Sequence, residues 1–327
     1  MSRFNLYILV LIFPTILSCQ AQENSQQAVA STDHFEFYIN KWLNQHHFLF
    51  QMAKTLAKDS TKVKDVFPQW GQLNVEEQKL TTALLTHYQD NWIANSLLFN
   101  GGLYRIKRTI TYWQDDRESL SYKEDPELAR YWSEFSPIYE RLFWPTHRKQ
   151  NQKVLQHNLS RIKAYEAQAT ARLSQLSQEP WPSSKIRVDV TFLADWAGAY
   201  TTTNPVHIVT STKEEGPEGD WVETLFHEAS HKLIGARRGK VAELIQSLAE
   251  AEELNIPRQL WHAVLFYFAG AVIKDLLVAD GISYELYMLR ENVFGAYQEA
   301  LGKSLEPYLA GEDSLETALK DLLINLQ

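Results

Sequence analysis

The stretch that decides the fold runs from position 221 to position 234 and reads Trp-Val-Glu-Thr-Leu-Phe-His-Glu-Ala-Ser-His-Lys-Leu-Ile. Apolar residues recur in it at helical spacing, so the sequence predicts a buried helix that carries His227, Glu228 and His231. On a helix, side chains four residues apart lie one turn apart on the same face. The two imidazoles can therefore reach one metal ion at about 2.0–2.1 Å each. Glu228 lies about 100° around the helix from His227, beside the ion rather than on it.

This HExxH pattern has a direct chemical use. A zinc ion held by the two histidines lowers the pKa of its bound water to about 7. A neighbouring carboxylate can accept the water proton during attack on a carbonyl and return it to the leaving amine. We therefore predict that His227 and His231 are metal ligands and that Glu228 is the general base of a zinc-dependent hydrolase.

In its motif and in the order of its elements, the segment from about 186 to 275 resembles the zincin-like zinc metallopeptidases. The resemblance implies a zincin-like C-terminal region with a small sheet, Zn²⁺ as the cofactor and a peptide or protein as the substrate. Two features depart from related patterns. Lys232 stands where zincins usually have an uncharged residue, and we expect its ammonium to reach the surface. The third histidine of metzincins is absent, since Gly235 and Arg237 stand at the corresponding positions.

A catalytic zinc needs three protein ligands and one open position, and two residues compete to be the third. Glu250 follows His231 at a spacing found in gluzincins, but it lies in an acid-rich run of the kind that forms solvated helix faces. His262 lies in the most apolar stretch after the N-terminal segment, Leu260 to Gly270, where an ionisable group needs a partner. We predict His262 as the third ligand, with Glu250 as the alternative.

The hydrophobic periodicity predicts an α+β, predominantly helical chain. Residues 33–180 form a helical N-terminal region, which includes a helix that opens at Pro126 after Asp125. A Pro-Trp-Pro cluster ends this region, and residues 181–327 form the metal-binding region. Alternation predicts strands at 185–193 and 206–210, with a turn or short strand between them. Helices follow from 221 to the end.

Other groups can belong to the site. In zincins the strand before the active helix pairs with substrate, which here is Val206–Thr210 or Tyr200–Thr203. His207 lies on the first of these, and we expect its side chain to face solvent. An oxyanion donor is also needed, and Tyr200, Tyr267 and Tyr284 are candidates among which the sequence does not choose.

The N-terminus resembles a bacterial lipoprotein signal. An apolar run from Leu6 to Leu17 is too short to span a membrane and ends at Ser18-Cys19, the only cysteine of the chain. The resemblance implies removal of residues 1–18 and lipidation of Cys19, and residues 19–32 read as a flexible tether. Gln20 favours the periplasmic face of the outer membrane over the inner membrane. An ordinary signal peptide with an incidental cysteine is the alternative.

Composition limits the remaining possibilities. The 327 residues carry a formal charge of −8, which argues against a nucleic-acid partner. A single cysteine excludes an intramolecular disulfide. We therefore predict a zinc metallopeptidase tethered in the bacterial cell envelope. Two alternatives stay open: a non-catalytic envelope lipoprotein that binds a protein partner, and a zinc hydrolase that cleaves a non-peptide amide, such as one in cell-wall material.

Overall fold

The computed structural model describes residues 27–113, 122–194, 198–214 and 216–327. Within them the protein is α+β and predominantly helical with one small mixed sheet, as the sequence predicts. The signal segment and Cys19 lie outside the described residues, so the lipoprotein interpretation stays a prediction.

The elements of the N-terminal region are β1 (Ala30–Ser31), β2 (Phe35–Tyr38), α1 (Lys41–Lys58), α2 (Val63–Val66), α3 (Val75–Asn91), α4 (Gly101–Ile110), α5 (Pro126–Leu142) and α6 (Trp144–Ser177). Those that follow are β3 (Ile186–Thr191), β4 (Ala199–Thr203), β5 (Val206–Ser211), α7 (Asp220–Ser230), α8 (Lys240–Ala251), α9 (Leu260–Ala279), α10 (Tyr287–Arg290), α11 (Gln298–Ala310) and α12 (Leu315–Asn325). Short 3₁₀ turns lie at Ser60–Lys62, Pro68–Gln72 and Gly295–Tyr297.

The sheet has the strand order β1-β2-β3-β5-β4. The three central strands are parallel, with Val188 opposite Phe37 on one side and Ile208 on the other. The two outer strands, β1 and β4, run antiparallel to their neighbours. Strand β5 is therefore paired on both sides, whereas β4 is an edge strand beside α7.

One segment of the sequence prediction is wrong. Residues 35–38 belong to the stretch expected to be helical, but they form β2. Phe35 and Phe37 are buried while Glu36 and Tyr38 are half-buried, so the segment follows the period of two that a strand requires. Aromatic residues also favour strands. The helical spacing apparent from position 34 to position 42 arises because a strand is followed at once by α1.

The sheet joins the two regions that the sequence separates at 180–181. Strand β2 precedes that boundary, yet it pairs with β3, which follows it. The apolar side chains of both regions also form one continuous core. Helices α1 and α4 cover one face of the sheet and α7 covers the other, which buries the strands on both sides. This packing fixes the position of α7 from two directions, the sheet and α9.

Helix α9 packs along α7 and forms the centre of the C-terminal half. It is the one helix of the described residues whose length and composition would allow it to cross a membrane. More than half of its apolar window is buried inside the protein, as in the core helix of a globular domain.

Candidate metal centre

The HExxH pattern lies at the C-terminal end of α7. His227 and Glu228 are in the last turn, and His231 is the C-cap residue with helical backbone angles, φ −59° and ψ −15°. The unpaired carbonyl groups of a helix end carry a partial negative charge, so a cation is favoured there. The predicted helix and the position of both histidines on it are thus present in the structure.

Helices α7 and α9 run antiparallel and contact each other at three successive residue pairs. A side chain at Gly270 would touch Glu223, the ring of Phe266 lies 4.1 Å from that of His227, and the ring of His262 lies 5.0 Å from that of His231. From one pair to the next, the residue number rises by four on α7 and falls by four on α9, which is about one helical turn. This register places His262 beside both histidines of α7.

The three imidazoles form a nearly equilateral triangle. Their ring centroids are 5.1, 5.1 and 5.0 Å apart, and their ligand nitrogens all lie within 4.8 Å of one another. The Nε2 atoms of His227 and His262 are 3.2 Å apart. Two nitrogens bound to one tetrahedral zinc at 2.0–2.1 Å lie roughly 3.3 Å apart. The spacing therefore fits two ligands of one ion.

The structure distinguishes between the two candidates for the third ligand by position. His262 joins the cluster, whereas Glu250 is exposed on α8 and accepts a hydrogen bond from Gln246. Lys232, the departure from the zincin pattern, is exposed as expected.

Burial keeps the three imidazoles neutral. It lowers the pKa of His227 well below the usual range, and the neighbouring His231 and His262 lower it further. Burial likewise lowers the pKa of His231 to about 3 and that of His262 to about 4. Neutral imidazole is the form that binds a metal, so the cluster suits a cation at neutral pH without first losing protons.

Glu228 stands beside the triangle rather than in it. Its Oε2 atom is 3.9 Å from Nε2 of His231 and 2.7 Å from the hydroxyl of Thr201 on β4. Burial raises the pKa of this carboxyl to about 7, although Thr201 and Lys107 lower it. A carboxyl group with this pKa can take up and release a proton near neutral pH.

Aromatic side chains surround the cluster. Trp261 stacks on His262 with centroids 5.0 Å apart, and Phe294 meets the same imidazole edge-on at 5.4 Å. Phe266 covers His227. An apolar shell of this kind excludes water and strengthens electrostatic interactions inside it. The aromatic residues of α9 were visible in the sequence, but their contact with the histidines depends on the antiparallel register.

Of the two strand segments proposed for substrate pairing, β4 is the edge strand within the described residues, whereas β5 is paired on both sides. Its Thr201 faces Glu228, while Tyr200 and Thr202 point to the opposite face. The prediction for His207 is wrong: its side chain is buried and bonds to Asp189 at 2.7 Å. Both faces of the sheet are covered by helices, so the alternation of side chains along β5 does not separate a solvent-exposed face from a buried one.

The hydroxyl groups of the three tyrosines proposed as oxyanion donors bond to residues other than the three histidines. The hydroxyl of Tyr200 bonds to His47 across the sheet, and that of Tyr267 bonds to Glu306. The hydroxyl of Tyr284 bonds to Glu223, one turn before His227. Thr201 and Glu223 are the residues near the site whose contacts were not foreseen, because each depends on the packing of distant elements.

A cavity of about 1000 Å³ lies beside the N-terminal half of α7 and is large enough for a sizeable ligand. It reaches Thr224, one turn before Glu228, and also touches Gly198 just before β4. Its floor includes Phe48 and Phe192.

Comparison with known proteins adds nothing to this geometry, since no protein-family model, no curated protein and no solved structure matches the chain.

Proposed function

We propose that this protein is a zinc-dependent hydrolase and that its substrate is a peptide or protein. The observation that carries the proposal is the convergence of His227, His231 and His262 beside the carboxyl group of Glu228. Three neutral imidazoles supply the ligand set of a catalytic zinc and leave one position open. The zincin-like resemblance of the sequence supports the same conclusion.

Each residue has a distinct role in this proposal. The three histidines hold the ion, which when bound polarises a carbonyl group and makes water a nucleophile near neutral pH. Glu228 accepts the proton of the attacking water and passes it to the leaving amine. Thr201 holds the Glu228 carboxyl group through Oε2, the oxygen that lies 3.9 Å from Nε2 of His231. Aromatic side chains line His227 and His262.

One feature favours an extended peptide as substrate. Within the described residues β4 is the edge strand of the sheet, so its outer side can pair with an incoming strand next to Glu228. The site of action is the bacterial cell envelope, where Cys19 anchors the protein by its lipid, and this part of the proposal rests on the sequence alone.

A pair of variants tests the proposed chemistry. Glu228→Gln keeps the shape of the side chain but removes the base, so we expect about one zinc per chain and loss of hydrolysis of a fluorogenic peptide library. Glu250→Gln, an exposed change on α8, is the control and should retain both. If wild type and Glu228→Gln bind zinc equally and neither hydrolyses peptides or cell-wall amides, the protein is a partner-binding lipoprotein and the proposal is wrong.

A further inference from the structure

Two buried polar atoms on α7 have no hydrogen-bond partner within the described residues. They are Nδ1 of His227 and Oε1 of Glu223. The two residues are four apart on one helix, which brings their Cβ atoms to about 5–6 Å on the same face. An unpaired buried polar atom destabilises the folded protein because it has lost its hydrogen bonds to water. Two such atoms on one helix face, one nitrogen and one carboxylate oxygen, can serve as partners for each other.

Both residues face α9. The ring of His227 packs against Phe266, and Oε1 of Glu223 lies 3.1 Å from the place that a Cβ atom of Gly270 would occupy. A glycine inside a helix is less favourable than alanine. Here it leaves space in the seam between the helices for the carboxyl group of Glu223.

The other oxygen of Glu223 is firmly held. Oε2 accepts hydrogen bonds from the hydroxyl of Tyr284 at 2.7 Å and from the backbone N–H of Tyr287 at 3.1 Å. These two donors fix the carboxyl group and leave Oε1 directed into the seam. The carboxylate is therefore anchored at one oxygen and available as an acceptor at the other.

A histidine that binds a metal through Nε2 carries its proton on Nδ1, and metal-binding histidines nearly always donate that N–H to an acceptor. We propose that Glu223 is the positioning residue of the metal centre and that its Oε1 accepts this hydrogen bond from Nδ1 of His227. The bond fixes the tautomer and the ring orientation of His227. This inference rests on the proposed zinc site.

The test is the zinc affinity of Glu223→Gln, measured by competition with a chelator. An amide has only one acceptor oxygen, so it cannot serve both Tyr287 N–H and His227 Nδ1–H. We expect the affinity to fall by about 10- to 100-fold while the stoichiometry at saturating zinc stays at one. In the zinc form of the wild type, proton NMR should show an exchange-protected imidazole N–H that is lost in the variant.

Asp220→Asn is the matched control. Asp220 bonds to Tyr284 and Arg290 in the same buried cluster but does not face His227, so this change should lower stability and leave zinc affinity unchanged. If Glu223→Gln does not fold, Glu223→Asp shortens the side chain and should weaken zinc binding similarly. Unchanged zinc affinity in either folded Glu223 variant overturns this inference and leaves the proposed function standing. Absence of zinc binding by the wild type overturns the proposed function instead.

Discussion

The hydroxyl of Thr201 on β4 lies 2.7 Å from Oε2 of Glu228 and 2.9 Å from the backbone oxygen of the same residue. The edge strand of the sheet therefore holds the carboxyl group at the end of α7. This contact joins the two structural parts of the site, because β4 is also the strand proposed to pair with substrate.

Thr201→Val keeps the shape of the side chain and removes its hydroxyl. A hydrogen bond to a charged group contributes about 1.5–3 kcal/mol, so we expect kcat to fall about 10- to 100-fold with zinc content unchanged. Steady-state kinetics and metal analysis of the same preparation measure both. Thr203→Val, two residues along the same strand, is the control and should retain activity. Equal kcat values for the two variants would contradict the role given to Thr201.

Zinc should stabilise the folded protein. The three imidazoles come together only in the native arrangement, so zinc at 100 times its dissociation constant should raise the free energy of unfolding by about 2.7 kcal/mol. Urea unfolding with and without zinc measures the difference. His262→Ala should abolish the stabilisation and Glu250→Ala should leave it intact. Stabilisation of His262→Ala equal to that of the wild type would argue against the triangle of histidines.

Stability should fall in mild acid through histidines that are buried without charge. His147 stacks on Phe192 with centroids 4.0 Å apart, and burial lowers its pKa to about 3. The unfolded chain takes up a proton as the pH falls through about 6.5, whereas the native protein does so only near 3. The stabilisation is therefore complete above pH 6.5 and is lost between 6.5 and 3, at up to about 1.4 kcal/mol per pH unit.

His147→Gln should reduce the slope of unfolding free energy against pH by about 1.4 kcal/mol per pH unit between pH 5.5 and 4.5. Urea titrations at several pH values measure the slope. His157→Gln, a change at an exposed position of the same helix, is the control. A slope for His147→Gln equal to that of the wild type would show that this residue is protonated in the native state.

The loop after the HExxH pattern should tolerate no side chain at Gly239. This residue has φ +87°, and a Cβ atom there would lie 2.1 Å from the backbone oxygen of Leu233. Gly281 has a similar φ of +79° with open space around it, so Gly281→Ala measures the backbone penalty alone. We expect Gly239→Ala to be the more destabilising by at least about 1 kcal/mol in urea unfolding. Equal losses would mean that the loop relaxes freely.

Most of the candidate site is predictable from the sequence because it lies in one local pattern. His227, Glu228 and His231 are within five residues, and the spacing alone places them on one helix. His262 is predicted from a different signal, an ionisable group in an apolar helix that needs a partner. The sequence favours His262 over Glu250, but its position beside the other two histidines depends on the antiparallel register of α7 and α9.

What could not be predicted depends on contacts between distant parts of the chain. The four residues of β2 carry a pattern too short to separate a strand from the start of α1. The burial of His207 follows from helices on both faces of the sheet, which alternation in β5 does not reveal. The partners of Thr201 and Glu223 come from elements far away in sequence, and only the packed fold brings them together.

Metal analysis of the purified protein is the most direct test of the proposed zinc centre of three histidines. The wild type, His227→Ala, His262→Ala and Glu250→Ala should be prepared without chelator and analysed together. We predict about one zinc per chain in the wild type and in Glu250→Ala, and none in the two histidine variants. No zinc in the wild type after reconstitution, or full zinc content in His262→Ala, would contradict a zinc centre built from these three histidines.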